Sequence, residues 1–326
     1  MGEYSKALEY HTKSLEMELA VYGSEATHAD IATSYGNIGS VYYNMAQYSM
    51  ALEYHKKSLN MRLAVYGTEA THADIATSYN NIGSVSYSMS EYSKALEHYT
   101  KSLDMRIAVY GTDATHEDIA TSYNNIGLVY YNMGRDSKAL EYYIKALDMM
   151  LAVYGTETTH AHIATSYNNI GLVYKKMGEY SKALEYYTKS LEMMLAVYGT
   201  EVTHADIATR YGNIGCVYDD LGEYSKALEY YTKSLEMMLA VYGSEATHAD
   251  IATNYGNIGS VYYNMGEYSN ALEYYKKSLK MELAVYGTEA THANIATSYN
   301  NIGSVYYKMG DGSKALEYLM KSASIN

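Results

Sequence analysis

Residues 71–111 read THADIATSYNNIGSVSYSMSEYSKALEHYTKSLDMRIAVYG, and two helical stripes run through them. Ile75, Tyr79, Ile82 and Val85 recur in steps of four, three and three, which lines one face of a helix and not of a strand. A first helix is expected from about Thr71 to Met89, with Thr71 as N-cap and Asp74 suiting the dipole in the first turn. A second helix is expected from about Ser93 to Val109. There Ala95, Leu96, Tyr99, Leu103 and Met105 face inward, while Lys94, Glu97 and Lys101 face water. Gly111 stands where a left-handed C-cap residue closes a helix. The turn between the two helices is short, Gly178-Glu179 in one copy, so the pair packs antiparallel.

The same reading recurs along the chain. Tyr-Ser-x-Ala-Leu-Glu begins at Tyr4, Tyr48, Tyr92, Asp136, Tyr180, Tyr224, Tyr268 and Gly312, each 44 residues from the last. A fixed period between about 20 and 50 residues marks a solenoid or a propeller, and without period-two alternation the propeller is excluded. The expected fold is all-α: a right-handed solenoid of seven antiparallel helix pairs behind an orphan second helix over residues 1–22. Repeats begin near 27, 71, 115, 159, 203, 247 and 291, in one array over 1–326. Arrays of this kind usually end in polar capping repeats. None is visible, so the chain reads as part of a longer array, or as one begun at an internal methionine.

Composition narrows the function. Lys and Arg number 24 against 37 Asp and Glu, a net charge of −13, which disfavours nucleic acid and anionic membranes as partners. A hydrophobic share of 48% is enough for a packed core. Proline is absent, so nothing in the chain is a built-in helix breaker. Cys216 is the single cysteine, which rules out an internal disulfide framework and fits a reducing, cytoplasmic setting. No apolar run reaches the roughly 18 residues of a membrane span, and the polar start Met1-Gly2-Glu3-Tyr4 is not a signal peptide.

Tyr35-x2-Ile38-Gly39-x2-Tyr42, followed by Tyr48, Ala51 and Leu59, resembles the tetratricopeptide repeat pattern, with Tyr for the usual Trp at the first position. The match recurs seven times. Within that family the chain looks most like the kinesin-light-chain type, whose helices are joined by Gly-x-x-His-Pro-Asp. Here the junction runs Gly67-Thr68-Glu69-Ala70-Thr71-His72-Ala73-Asp74, two residues longer and with Ala73 for Pro. The small Gly39 and Ala51 series recur in every copy and let two helices approach closely.

Several residues invite a chemical reading. His28, His72, His116, His160, His204, His248 and His292 recur once per repeat, mostly in Thr-His-x-Asp. His and Asp two apart on a helix point in different directions, so capping or packing is the expected role. His160 and His162 have the same spacing, wrong for one face. His116-Glu117 lacks the second His of a zinc-protease helix, Ala120 standing in its place. Met17, Met61, Met105, Met149, Met193, Met237 and Met281 are expected to fill the core. No metal or cofactor is expected, and Cys216 has no His placed to activate it.

The informative surface is the face of the first helices that the family resemblance makes concave, lined by Thr33, Gly36, Asn37, Ser40, Tyr43 and Asn44. The spacing of Thr33, Asn37, Ser40 and Asn44 independently makes one stripe. Every repeat carries a central asparagine: Asn37, Asn81, Asn125, Asn169, Asn213, Asn257 and Asn301. Four add a neighbour: Asn80, Asn124, Asn168 and Asn300. Such amides can pair with the backbone of an extended peptide or with adjacent repeats, and both uses can hold together. The stripe's edge varies, with Tyr43, Tyr87, Tyr131, Tyr263 and Tyr307 as candidate anchors. Lys175-Lys176 and Asp219-Asp220 could pair across repeats or read charges on a ligand. The Lys, Asn and Arg set with which related repeats clamp chaperone tails is absent. Ser86 replaces a core tyrosine, so looser packing is expected there. The leading expectation is a non-enzymatic scaffold binding a partner's peptide in the groove. Its rivals are an array that self-associates through uncapped ends, and the sensor segment of a larger signalling protein.

Overall fold

The computed structural model describes residues 2–156, 158–200, 202–243, 246–287 and 292–325. The expected repeat start near 291, and Met1, lie outside them. Among the described residues there are fifteen α-helices and no strand. The first helices are α2 (Ala29–Asn44), α4 (Ala73–Ser88), α6 (Glu117–Asn132), α8 (Ala161–Lys176), α10 (Ala205–Asp220), α12 (Ala249–Asn264) and α14 (Ala293–Lys308). The second helices are α3 (Tyr48–Tyr66), α5 (Tyr92–Tyr110), α7 (Asp136–Tyr154), α9 (Tyr180–Tyr198), α11 (Tyr224–Tyr242), α13 (Tyr268–Tyr286) and α15 (Gly312–Ile325). They are preceded by α1 (Gly2–Tyr22).

The chain divides into two units, residues 1–158 with α1 to α7 and residues 159–326 with α8 to α15. Within each unit every helix packs on the next in sequence. The cores repeat. Ile75, Ala76, Ile82 and Val85 of α4 are buried, as are Ile207, Ala208, Ile214 and Val217 of α10. Gly127 shows why a residue without a Cβ recurs: a methyl there would stand 2.8 Å from Cδ1 of the buried Tyr143. Buried serines supply polar cross-links. Ser58, Ser102, Ser190, Ser278 and Ser322 donate to the carbonyls of Ala32, Ala76, Ala164, Ala252 and Ala296 at 2.7–2.8 Å.

Four expectations are corrected. The N-cap is His72, not Thr71. Its backbone is extended (φ −145°, ψ 137°), and its Nδ1 accepts from the Asp74 amide at 3.1 Å. The same cap recurs at every first helix, from His28 to His292. Because the cap residue is not helical, helical side-chain directions do not apply to it. His72 Nδ1 therefore lies 3.7 Å from Asp74 Oδ2, and the His160 and His162 rings meet edge-on at 5.0 Å. Gly111 does have positive φ (102°), but its ψ of 154° is extended, a combination essentially confined to glycine. The methionine stripe lines the edge of the core, with Met61, Met105, Met193, Met237 and Met281 half-buried against its clusters, while Met17 is exposed. Met105 and Met193 instead accept from the His72 and His160 amides, and the core positions are Met150, Met194 and Met238.

Ser86 is buried, and its site differs on both sides. Elsewhere a tyrosine pair meets there, as Tyr130 with Tyr142 at 5.5 Å. Here Ser86 coincides with His98, which turns its Nδ1 to the Lys94 carbonyl oxygen at 2.8 Å.

Candidate functional site

The junction between repeats is a clasp made by residues eight apart. Tyr66, the last residue of α3, stacks on His72 with ring centroids 3.7 Å apart, and its hydroxyl donates to Asp74 Oδ2 at 3.0 Å. Tyr22 with His28 and Asp30, and Tyr110 with His116 and Asp118, repeat both contacts. The His-x-Asp motif is thus held by an aromatic ring and a backbone amide, which accounts for its recurrence without chemistry. Tyr154 has His162 where its Asp would stand. It hydrogen-bonds Glu117 instead, and its phenol is pushed up to about 12.

The asparagine stripe bonds between repeats at an offset of 45 residues. Asn125 Nδ2 donates to Asn80 Oδ1 at 2.9 Å, and Asn213 Nδ2 to Asn168 Oδ1 at 2.8 Å. Asn124 and Asn169 are engaged as well. The edge follows the same offset. The Tyr43 and Ser88 hydroxyls hydrogen-bond at 2.9 Å, Asn132 donates to the Tyr87 hydroxyl, and Asn264 donates to Asp219. Lys175 pairs with Asp220 at 3.1 Å, a half-exposed contact worth about 0–1 kcal/mol. Lys176 and Tyr131 have partners of their own. Burial pushes the Asp219 carboxyl up, against the hydrogen bond from Asn264.

The rungs stop where glycine precedes the offset. Gly36, Gly212 and Gly256 face Asn81, Asn257 and Asn301, which have no side-chain partner among the described residues. Asn37 is free in the same sense, and Asn300 is exposed. A cavity opens beside each gap, of about 260 Å³ at Asn81, 190 Å³ at Gly212 and Asn257, and 330 Å³ at Gly256 and Asn301. The edge tyrosines Tyr43, Tyr87 and Tyr263 pack on Tyr48, Tyr92 and Tyr268 at 5.7 Å. Gly312 occupies the matching place after Tyr307, and Tyr307 is 72% exposed.

These features agree with the comparisons. The tetratricopeptide repeat model matches residues 1–64, 30–108, 74–152, 118–196, 162–240 and 250–326, and the chain belongs to that family. Among solved structures it is similar to BtubC (BKLC) from P. vanneervenii, at 18% identity and a TM-score of 0.61, covering 75% of this chain and 94% of that one. It is similar to the kinesin-light-chain repeats of a putative protein from Podosopora anserina, at 16% identity and TM-score 0.54 over 64% and 95%. A tetratricopeptide repeat protein from Parabacteroides merdae gives 16% identity and TM-score 0.58 over 90% and 93%. No curated protein sequence matches. Repeats of this family generally serve protein–protein interaction. No helix among the described residues is long and apolar enough to cross a membrane.

Proposed function

We propose that the chain is a non-enzymatic, cytoplasmic interaction scaffold whose concave face binds an extended peptide segment of a partner, its repeats acting as one array. The observation that supports this most is the interrupted ladder. Where the asparagines pair, they fix one repeat to the next. Where glycine replaces the partner, an amide with free donors and acceptor stands beside a cavity. A peptide backbone offers the complementary groups at regular spacing.

The two roles separate by mutation. Changing Asn81, Asn257 and Asn301 to alanine is expected to abolish capture of partners from the source organism's lysate and to leave melting unchanged. Changing Asn125 and Asn213 is expected to lower the melting temperature first. Identical captures by the native chain and the first variant would remove the groove from consideration. Exposed apolar side chains on the terminal helices (Met17, Val21, Leu316 and Met320) favour self-association as a second reading, which a concentration-dependent mass would support.

A further inference from the structure

One cavity is lined by a buried carboxylate, at a repeat position that holds glutamate twice, as Glu18 and Glu282, arginine at Arg62 and Arg106, and methionine at Met150, Met194 and Met238. It lies between α12, α13 and α14, beside Gly256, and is lined by Asn257, Glu282, Asn294, Ser298 and Asn301 among others. Glu282 is 7% exposed. Its Oε2 has no hydrogen-bond partner. Ser298 bonds the carboxylate, but Ser278, 3.5 Å from Oε1, commits its one proton to the Ala252 carbonyl at 2.8 Å. A buried carboxylate served by one hydroxyl is costly, and burial pushes its pKa up; a proton or an arriving cation relieves that cost.

Equivalent positions in other repeats show what fits. Arg62, 220 residues before Glu282, reaches from α3 to the Asp74 carbonyl and Ser78 Oγ of α4. Arg106 does the same to Asp118 and Ser122. At a third junction Arg210 enters from the first helix, meeting Ser190 Oγ at 3.3 Å and the Asp206 carbonyl at 3.4 Å. Three junctions thus hold the chain's own guanidinium. The junction of α13 and α14 presents Asn294 and Ser298 at the matching places, a carboxylate in place of the arginine, and an open cavity; the junction of α1 and α2 has the same exchange, with Ser34 donating to Glu18 at 3.0 Å.

We propose that this cavity receives a cationic side chain, arginine above all, from the bound peptide. Glu282 pairs with the guanidinium, and the free Asn301 and Asn257 amides hold the flanking backbone. The proposal rests on the groove reading above and adds the charge of its ligand. A planar guanidinium matches a carboxylate in bidentate fashion, which favours arginine over lysine.

The test uses two pools of blocked dodecapeptides, identical except for a central arginine or its neutral isostere citrulline, retained on the full-length protein. The native chain is expected to retain the arginine pool at least tenfold better. Glu282→Gln should bring that ratio near one with unchanged melting, and Glu282→Arg, which supplies the guanidinium from within as Arg62 does, should abolish the preference as well. Glu273→Gln, on an exposed carboxylate already paired with Lys277, controls for the acidic chain's general attraction and should keep the ratio. Both pools retained equally, or an arginine preference that survives Glu282→Gln, overturns the charge assignment while leaving the groove in place if Asn257→Ala with Asn301→Ala releases the peptides. No retention of either pool removes the groove reading and this one with it.

Discussion

His55 carries the clearest residue-scale consequence. It occupies the place that Tyr99, Tyr143, Tyr187, Tyr231 and Tyr275 hold in other repeats, against Gly39 instead of Gly83 or Gly127. Burial, aided by the nearby Arg62 charge, lowers its pKa from 6.5 to about 4. The folded state therefore refuses a proton that the unfolded state accepts. Its stability contribution is intact above pH 6.5 and falls as pH drops towards 4, by about 3 kcal/mol in all. His55→Tyr is expected to remove this loss, read as the difference between denaturation midpoints of variant and native chain from pH 7 to 4. Parallel curves for the two proteins would show that His55 is not buried neutral. A tyrosine series that carries histidine at two copies, His11 and His55, is visible in the sequence. That the series is the buried one needs the packing.

At the scale of the element, the turn inside each repeat shows how one geometry is met by unequal residues. Gly134, Gly178, Gly222, Gly266 and Gly310 take positive φ there, and Ala46 and Ser90 take φ of 57° and 60°. The turn is a Schellman closure. Ser90 N donates to the Tyr87 carbonyl at 2.8 Å and Glu91 N to the Ser86 carbonyl at 2.9 Å. A residue with a Cβ pays about 1–2 kcal/mol in that conformation. Ser90→Gly is expected to stabilise the chain by about 1 kcal/mol, observed as a higher urea midpoint with unchanged slope. An unchanged midpoint would mean that the serine relieves its strain by another route. The helices themselves were legible from the 3.6-residue stripes, with ends right to within two residues. The caps were not, because a histidine ring nitrogen in the cap role falls outside the Ser, Thr, Asp and Asn preference. The gaps in the ladder were hidden for a different reason. Asn81 and Gly36 are neighbours only through the stagger of adjacent helices, and no spacing within a repeat reveals an offset of 45.

For the whole molecule, the period of 44 residues together with the helical stripes inside each unit leads to the all-α array, since no unit buries its apolar face without a neighbour. Each of the two units has its own buried clusters, such as Leu59, Ile75 and Ile82 in the first and Tyr231, Ile251 and Ile258 in the second. Residues 159–326 expressed alone are accordingly expected to keep native helicity and a cooperative melt by circular dichroism. A chain that loses its helices when cut there would show that the second unit draws its stability from the first. The asparagine stripe itself was only half legible: its recurrence stands out in the sequence, yet the amides with visible partners, such as Asn125 and Asn213, bond to adjacent repeats.

The clasp of Tyr66, His72 and Asp74 also bears on how such a gene can change. Tyr66 and Tyr110 present the same ring and hydroxyl to the same His-x-Asp. Unequal recombination that removed one 44-residue copy would set Tyr66 against His116 and Asp118, and an identical joint would close. Loss or gain of a copy between such matching clasps leaves no mismatched joint there, so repeat number can change at these junctions while their local chemistry stays fixed.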